Sequence, residues 1–148
     1  MSSYVYYFFY QRILLFNIHV PWIVHPTSYI NGVKNIKFGI NSMPGTAPNQ
    51  YIQGFNGIIL GNNVWIGPHV SIISSNHDLN DYKKHKKAPP IIIGNDVWIG
   101  ANTVILPSVQ IGNNVVIGAG SVVIKNIPDN SIAVGNPCKV IKKKDLLS

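Results

Sequence analysis

One short segment holds most of the side chains that could act on a substrate. Asn76, His77 and Asp78 are consecutive, and the basic run 83–87 that follows contains four lysines and His85. Imidazole suits acid–base work near neutral pH, because its ordinary pKa of about 6.5 lets it accept a proton and release it again. From the residues alone two interpretations of His77 stay open, a general base and a hydrogen-bonded loop residue.

The surrounding chain is organised by a repeat of six residues. An aliphatic anchor recurs at Ile93, Ile99, Ile105, Ile111, Ile117 and Val123, and a small or β-branched residue follows four places later, at Val97, Thr103, Val109, Val115, Ser121 and Ile127. A unit this short cannot bury its apolar face alone and must stack on its neighbours. Because neither a helix nor a sandwich strand has a period of six, the spacing predicts a coil with three rungs of strand and bend per turn.

Glycines and asparagines mark the expected bends of this coil. Four anchors are followed by Gly94, Gly100, Gly112 and Gly118, and asparagine pairs occur at 62–63 and 113–114. We expect these residues to adopt positive φ, which glycine and asparagine tolerate best.

The same register extends upstream and is then interrupted. Anchors spaced by six include Leu60, Ile66 and Ile72, and counting back reaches Ile36, Ile30 and Val24, whereas Ser42, Pro48 and Gly54 are not apolar anchors. Coiling is therefore predicted to start near Val24, with an irregular stretch in the middle. Ile72 and Ile93 are 21 residues apart, where a full coil of three rungs takes 18, which predicts an inserted loop at 76–90.

Four segments, in order along the chain, carry a family resemblance. They are Gly67-Pro68 through to His77, the run Ile-Gly-Asn-Asp-Val-Trp-Ile-Gly-Ala-Asn at 93–102, the run Ile-Gly-Ala-Gly-Ser-Val-Val at 117–123, and Gly-Asn-Pro-Cys-Lys-Val-Ile at 135–141. Together they resemble the hexapeptide-repeat acetyltransferases, and most closely the branch that O-acetylates sugars and surface polysaccharides. The resemblance covers roughly residues 51–142. It implies an all-β fold, a left-handed parallel β-helix, with acetyl-coenzyme A as donor and a homotrimer whose active sites lie between subunits.

The repeat and the resemblance divide the chain into three parts. Residues 1–23 are interpreted as an N-terminal cap segment, and residues 24–142 as the β-helix domain with its inserted loop. Residues 143–148 are interpreted as a basic C-terminal tail.

The N-terminal segment is unusually rich in aromatic and aliphatic residues between positions 4 and 18. It is short for a transmembrane helix and is interrupted by Gln11-Arg12, and it lacks the features of a signal peptide. One interpretation is a short helical or irregular cap, because the open end of a solenoid must be covered. The other is a helix that lies on a membrane surface. The expected location is the cytoplasm, with peripheral contact at the inner membrane face as the alternative.

The resemblance assigns His77 as the general base for direct attack of an acceptor hydroxyl in a ternary complex. Asn76 is the candidate to bind the acceptor or the developing oxyanion, and Asp78 is the candidate to orient His77. His85 is a candidate contact for the acceptor. Trp98 occupies an outward rung position, where lining the acceptor pocket and packing between subunits are the open alternatives.

The donor residues are also implied by the resemblance. Small residues that let the pantetheine arm lie along the coil are expected at Ala101 and Ala119. Contacts with the nucleotide end are expected from Ile124, Lys125, Lys139 and Lys142. Lysine offers phosphate a point charge without the two-pronged geometry of arginine.

Composition and one departure from the family limit the choice of acceptor. The net charge is +7 although only 11% of residues are charged, which favours an anionic partner such as coenzyme A, a nucleotide sugar or a lipid headgroup. Nucleic acid is not expected, since no nucleic-acid-binding motif is present. Residues 53–56 contain no carboxylate, whereas maltose and galactoside acetyltransferases place an acidic residue there. The expected acceptor is therefore a sugar of a surface polysaccharide or its activated precursor, selected by residues 53–56 and 76–90.

Several other functions stay open. Within the family, the acceptor could be an amino sugar modified on nitrogen, or a small molecule such as an antibiotic. A zinc carbonic anhydrase can use the same coil but needs three convergent histidines. His69, His77 and His85 do not follow the rung period, so no metal is expected. A noncatalytic scaffold or ice-binding coil would not explain the inserted histidine loop. The single cysteine, Cys138, suits a reducing compartment and is not the expected nucleophile, since direct transfer needs no acyl-enzyme.

Overall fold

The computed structural model describes residues 3–144. Residues 1–2 of the expected cap and 145–148 of the expected tail lie outside the described part of the chain. The fold is a left-handed parallel β-helix, and the predicted fold class is confirmed. Its strands are β1 (Tyr29–Asn31), β2 (Ile36–Phe38), β3 (Tyr51–Gln53), β4 (Ile58–Leu60), β5 (Val64–Ile66), β6 (Ser71–Ile73), β7 (Ile91–Ile93), β8 (Val97–Ile99), β9 (Val104–Ile105), β10 (Gln110–Ile111), β11 (Val116–Ile117), β12 (Val122–Val123), β13 (Ser131–Val134) and β14 (Lys139–Lys143).

Three sheets form the three faces of the coil. The first face contains β1, β3, β6, β9 and β12, the second contains β2, β4, β7 and β10, and the third contains β5, β8, β11, β13 and β14. All strand pairs are parallel except β13 with β14, which is antiparallel. We call the bend between the first and second faces the loop corner, and the bend between the third and first faces the alanine corner.

The two predicted inward positions of each rung form the core. Every anchor from Ile93 to Val123 is buried, and so is every residue four places after it. On the first face Ile30, Ile52, Ile72, Ile105 and Val123 stack in register from turn to turn. Each turn therefore buries apolar side chains against the turns above and below it, which stabilises a coil that no single rung could.

The bends follow a different rule from the expected one. Asn63 and Asn114, the second residues of the two expected asparagine pairs, have positive φ of 55°, and Asp96 has 56°. Other bends have positive φ at residues such as His69 and Asn102. The expectation of positive φ is wrong for Gly94, Gly100, Gly112 and Gly118, which are absent from the left-handed region. Glycine is needed at these positions because successive turns approach closely. A Cβ on Gly94 would lie 2.8 Å from the carbonyl carbon of Gly112.

Replacing Gly94 with Ala is therefore expected to lower the free energy of unfolding by about 1–3 kcal/mol, the usual cost of overpacking. The added methyl group would meet backbone atoms of the next turn, which cannot rotate away. Thermal or denaturant unfolding measures the loss. Gln110→Ala is the control, since that side chain is exposed and its truncation should change stability by less than about 0.5 kcal/mol. Equal stability of the two variants would contradict this account of the bends.

The first residue of each polar pair connects the turns. Asn95 Oδ1 accepts a hydrogen bond from Asn62 N at 2.8 Å, Asn113 Oδ1 accepts one from Asn95 N at 2.8 Å, and Asp129 Oδ1 accepts one from Asn113 N at 2.7 Å. The ladder satisfies backbone N–H groups that the bends leave unpaired within their own turn.

The inserted loop is longer than the comparison with a full coil indicates. Ile72 and Ile93 lie on β6 and β7, which are consecutive strands, and the equivalent residues of β9 and β10, Ile105 and Ile111, are only six apart. The expectation that Ile72 and Ile93 are one full coil of 18 residues apart is therefore wrong. Their 21-residue spacing covers one rung and crosses only one corner of the coil. The insertion is 15 residues beyond one rung, which is the length of the segment 76–90.

The irregular stretch and the two ends complete the coil. Ser42, which breaks the apolar pattern, is buried and its Oγ accepts a hydrogen bond from Val64 N at 2.9 Å. At the N-terminal end an α-helix (Ser3–Phe8) continues as a π-helical turn (Phe9–Ile13), and a 3₁₀ turn (Val33–Asn35) follows β1. At the C-terminal end Lys143 belongs to β14, although the sequence-based division placed it in the tail.

The N-terminal helical segment is tied to the coil at one buried side chain. Gln11 is 2% exposed, and its Nε2 donates hydrogen bonds to the carbonyl oxygens of Val20 and Trp22, each at 2.8 Å. Val20 and Val24 belong to the core. Most other apolar side chains between residues 5 and 18 are exposed. The cap and the membrane-surface interpretations both stay predictions.

Candidate active site

The inserted loop folds into a small hairpin that is fixed to the coil. Asp78 N donates to Lys84 O and Lys86 N donates to Asn76 O, both at 2.8 Å, so His77 and His85 face each other in an antiparallel bridge. From the preceding turn, Asn56 Nδ2 donates to Lys86 O at 2.9 Å. The hairpin is thereby held against the loop corner of the coil.

Three aromatic rings form a row at this corner. The imidazole centroids of His77 and His85 are 4.7 Å apart with planes tilted by 31°. The centroid of His85 lies 4.7 Å from that of Phe55, which projects from the loop corner of the preceding turn. Both histidines are exposed. His77 can therefore reach a bound molecule while its ring is restrained on one side by His85.

The residues next to His77 are positioned by backbone contacts. Gln53 is buried, and its side chain exchanges two hydrogen bonds with the backbone of Ser75, at 2.8 and 3.1 Å. It braces the segment that leads into Asn76, a role that sequence reasoning missed. The carboxylate of Asp78 accepts a hydrogen bond from Asn80 N at 2.8 Å, which stabilises the turn of the loop.

The expected donor residues lie elsewhere on the coil. Ala101 and Ala119 stack at the alanine corner, where Gly120 N donates to Ala101 O at 2.8 Å. Ile124 and Lys125 follow β12 at the loop corner of the last turn. The remaining two expected donor contacts, Lys139 and Lys142, are exposed on β14.

Trp98 points outward from the third face and is 59% exposed. It pairs in register with Trp65 below and Val116 above. The loop corner that carries His77 is opposite this face of the triangular coil, and the alanine corner is at the far edge of the first face. A single chain therefore does not bring His77 next to Trp98 or to Ala119.

Comparisons with known proteins agree with this architecture. Residues 90–125 match a family model described as bacterial transferase hexapeptide (six repeats). A galactoside O-acetyltransferase of Lactococcus lactis is 39% identical over 124 residues, which are 81% of this chain and 59% of that protein. A solved galactoside acetyltransferase in complex with coenzyme A has a TM-score of 0.72 and 38% identity, over 84% of this chain and 62% of that one.

A hexapeptide-repeat acetyltransferase of Vibrio cholerae also matches in structure. Its TM-score is 0.67 with 27% identity, over 92% of this chain and 81% of that one. The chain belongs to the hexapeptide-repeat acetyltransferase family. It spans about three fifths of the length of the first relatives that it matches.

Two further properties bear on the chemistry of this hexapeptide-repeat protein. Within residues 3–144 no three His, Cys, Asp or Glu side chains converge as a metal site would require. No helix in the described part of the chain combines the length and the apolar character needed to cross a membrane.

The single cysteine is placed unfavourably for nucleophilic attack. Cys138 is buried, and burial raises the pKa of its thiol, an effect that a side-chain hydrogen bond with Ser121 partly offsets. Near neutral pH the group is therefore held as the thiol, whereas the thiolate is the nucleophile.

Cys138→Ser is accordingly expected to change any acetyl-transfer activity by less than about threefold, since burial leaves little thiolate at this position. Rates of transfer by the wild type and the variant measure this. Iodoacetamide should also label native Cys138 slowly and label it fast after unfolding. An inactive Cys138→Ser variant, together with an acetylated Cys138 trapped in the wild type, would contradict direct transfer.

Proposed function

We propose that this protein is an acetyl-coenzyme A-dependent O-acetyltransferase that modifies a sugar hydroxyl, with His77 as general base. One observation carries the proposal. A hexapeptide coil places an exposed imidazole on its long inserted loop and restrains that imidazole with a hairpin and a second ring. The relatives support the choice of reaction, since they include a galactoside O-acetyltransferase and an acetyltransferase solved with coenzyme A.

In the proposed reaction a ring nitrogen of His77 accepts the proton of the acceptor hydroxyl as its oxygen attacks. The donor supplies an acetyl group as a thioester. Asn76, exposed beside His77, is the candidate to hydrogen-bond the developing oxyanion or the acceptor. The proton held on His77 then returns to the departing sulfur, so the base is regenerated. No acyl-enzyme is formed on the chain.

The alanine corner fits a long, narrow donor. A Cβ on Gly100 would lie 2.6 Å from Ala119 N, so successive turns pack closely at this corner. The small side chains of Ala101 and Ala119 would leave room for the pantetheine arm to lie along the corner, parallel to the coil axis. Lys139 and Lys142 on β14 present ammonium groups that could bind the phosphates of coenzyme A through charge-assisted hydrogen bonds.

The proposed active site lies between subunits of a homotrimer. His77 and the alanine corner are at different edges of the same chain, so a second copy is needed to bring a base and a donor path together. Trp65 and Trp98 form an exposed apolar stripe on the third face, which a neighbouring subunit would cover. In this arrangement Trp98 either lines the acceptor pocket or packs between subunits.

His85 is proposed as a positioning residue for His77. Ring contact at 4.7 Å limits the rotation of the His77 side chain, and Phe55 supports His85 from behind. Holding a general base in one orientation reduces the entropy lost when the reactive geometry forms.

The acceptor is proposed to be a sugar of a surface glycan or of its activated precursor. The matched relatives include galactoside and maltose enzymes, yet residues 53–56 of this chain contain no carboxylate. The side chain of Gln53 instead forms two hydrogen bonds with the backbone of Ser75.

Thiol release from acetyl-coenzyme A tests the proposed function across nucleotide sugars, neutral and acidic oligosaccharides, amino sugars, amino acids and antibiotics. Release that depends on a sugar, with an O-acetyl product seen by NMR, supports it. Release only with amines would replace it by N-acetyl transfer, and no release with any acceptor would reject it.

A further inference from the structure

An open cleft of about 640 Å³ lies beside the inserted loop, on the two N-terminal turns of the coil. Three of its lining residues are lysines, Lys34, Lys37 and Lys87, and Phe55 and Pro90 supply apolar walls. Lys34 and Lys37 were not among the residues singled out from the sequence. They become neighbours of Lys87 only because the loop folds back over the loop corner.

The three lysines are carried by separate elements with fixed relative positions. Lys34 belongs to the 3₁₀ turn after β1, and Lys37 is the outward, exposed residue of β2. Lys87 comes from the end of the inserted loop, which is fixed where Asn56 Nδ2 donates to Lys86 O and where Ile91 N donates to Gly57 O at 3.1 Å. The coil and the fixed end of the loop therefore set where the three side chains are attached, and their flexible stems let the ammonium groups converge on one anion.

The cleft carries positive charge without internal compensation. No Asp or Glu is among its lining residues, and Asn35 and Asn56 are its other polar side chains. In the described range 3–144 one ion pair is present, between Lys84 and Asp81 at 3.2 Å. Three cations held around one cleft repel each other, and an anion bound among them would relieve that repulsion.

The cleft is continuous with the row of rings at His77. Phe55 lines it on one side and contacts His85 on the other, and His85 contacts His77, each contact being 4.7 Å between centroids. A molecule bound among the lysines could therefore extend past Phe55 and His85 toward His77.

We propose that Lys34, Lys37 and Lys87 bind the diphosphate of a diphosphate-linked sugar acceptor. A diphosphate esterified at both ends carries two negative charges at neutral pH, which matches a cluster of ammonium groups better than the single charge of a uronic acid does. The exposed ring of Phe55 offers a flat apolar surface to the sugar. This inference rests on the proposed function for the role of the bound molecule as acceptor, whereas binding of the anion needs no turnover.

Isothermal titration calorimetry of the full chain with inorganic pyrophosphate and with UDP-N-acetylglucosamine tests the site. The triple variant Lys34→Gln, Lys37→Gln, Lys87→Gln should weaken both affinities by about tenfold or more, the expected effect of losing several charge-assisted contacts. The control is Lys83→Gln, Lys84→Gln, Lys86→Gln, which removes the same number of charges from loop positions that do not line the cleft. The control should weaken binding by less than about threefold, and circular dichroism should show both variants folded.

Equal losses in the two triple variants, or no binding of either probe to the wild type at millimolar concentration, would overturn the site. Coenzyme A affinity should be the same in the cleft variant and the wild type. A tenfold loss of coenzyme A affinity would mean that the cleft binds the donor, and the proposal would be wrong.

Turnover assays then test the role of the bound molecule. With UDP-N-acetylglucosamine or with N-acetylglucosamine linked to a short prenyl diphosphate, the cleft variant should show a KM raised about tenfold and a nearly unchanged kcat. Turnover of UDP-N-acetylglucosamine would identify a nucleotide diphosphate as the acceptor group, and turnover of the prenyl-linked substrate would identify a lipid diphosphate. A raised KM for a glucuronic acid oligosaccharide alone would overturn the diphosphate assignment. If pyrophosphate binds as expected but no sugar is acetylated, the proposed function fails while the anion site stands.

Discussion

Replacing His77 with Ala is expected to lower kcat by about a hundredfold or more, the usual size of a general-base contribution. The affinity for acetyl-coenzyme A should be unchanged, because the donor path is assigned to the alanine corner. Steady-state kinetics with an acceptor from the thiol-release panel, together with donor titration, measure the two effects. If His77→Ala kept wild-type turnover, the base would have to be another group.

Two companion variants distinguish loss of the base from damage to the loop. Leu79→Ala removes a side chain that is 85% exposed on the same hairpin, and turnover should stay within about twofold of the wild type. His85→Ala should reduce kcat and His85→Phe should restore most of it, since an aromatic ring is what restrains His77. Equal activity of His85→Ala and His85→Phe would show that ring contact does not position the base.

Mixed trimers are expected to regain activity from two inactive chains. His77→Ala lacks the base, and Ala119→Trp would block the proposed donor path with a large side chain. If each site takes its base from one subunit and its donor path from the next, any trimer that contains both chains has about one working site in three. Co-expression with two different affinity tags, tandem purification and an activity assay measure this recovery.

The mixed-trimer experiment needs both parents to assemble. Light scattering should give close to three chain masses for the wild type and for each variant. A mixed trimer that stays inactive would place base and donor path on the same chain. A monomer that still turns over would remove the interfacial site altogether.

The coil itself was accessible from the sequence because its rule is local. Each rung points two side chains into the core, and the same two positions recur six residues later in the next rung. Anchors such as Ile99 and inward residues such as Thr103 are therefore visible in the sequence as a period of six. The role of Gly94 was not visible in this way. Its conformation is ordinary, and glycine is required only because another turn approaches within contact distance. The distance between two turns does not affect the φ preference of a single residue, so it cannot be predicted from local sequence.

The loop shows the same limit at the candidate site. The position of the break in the repeat and the chemistry of imidazole identified His77, and the family resemblance assigned it a role. Three contacts depend on how the loop folds onto a corner of the coil. His85 contacts the His77 ring, Phe55 contacts His85, and Gln53 forms hydrogen bonds with the backbone of Ser75. These partners are separated by 8 to 30 residues with no common period, so no pattern in the chain brings them together.

The sequence by itself determined the coil, the length of its rungs and the one place where function could be inserted, since these depend on side-chain periodicity and on local backbone preference. The tertiary structure decided which charges share a cleft and which edges of the coil carry the base and the donor path. Lys34, Lys37 and Lys87 come from three different elements, and only stacking of the turns places them around one space. The separation of His77 from Ala119 likewise follows from the triangular cross-section, which the linear order of the residues does not contain.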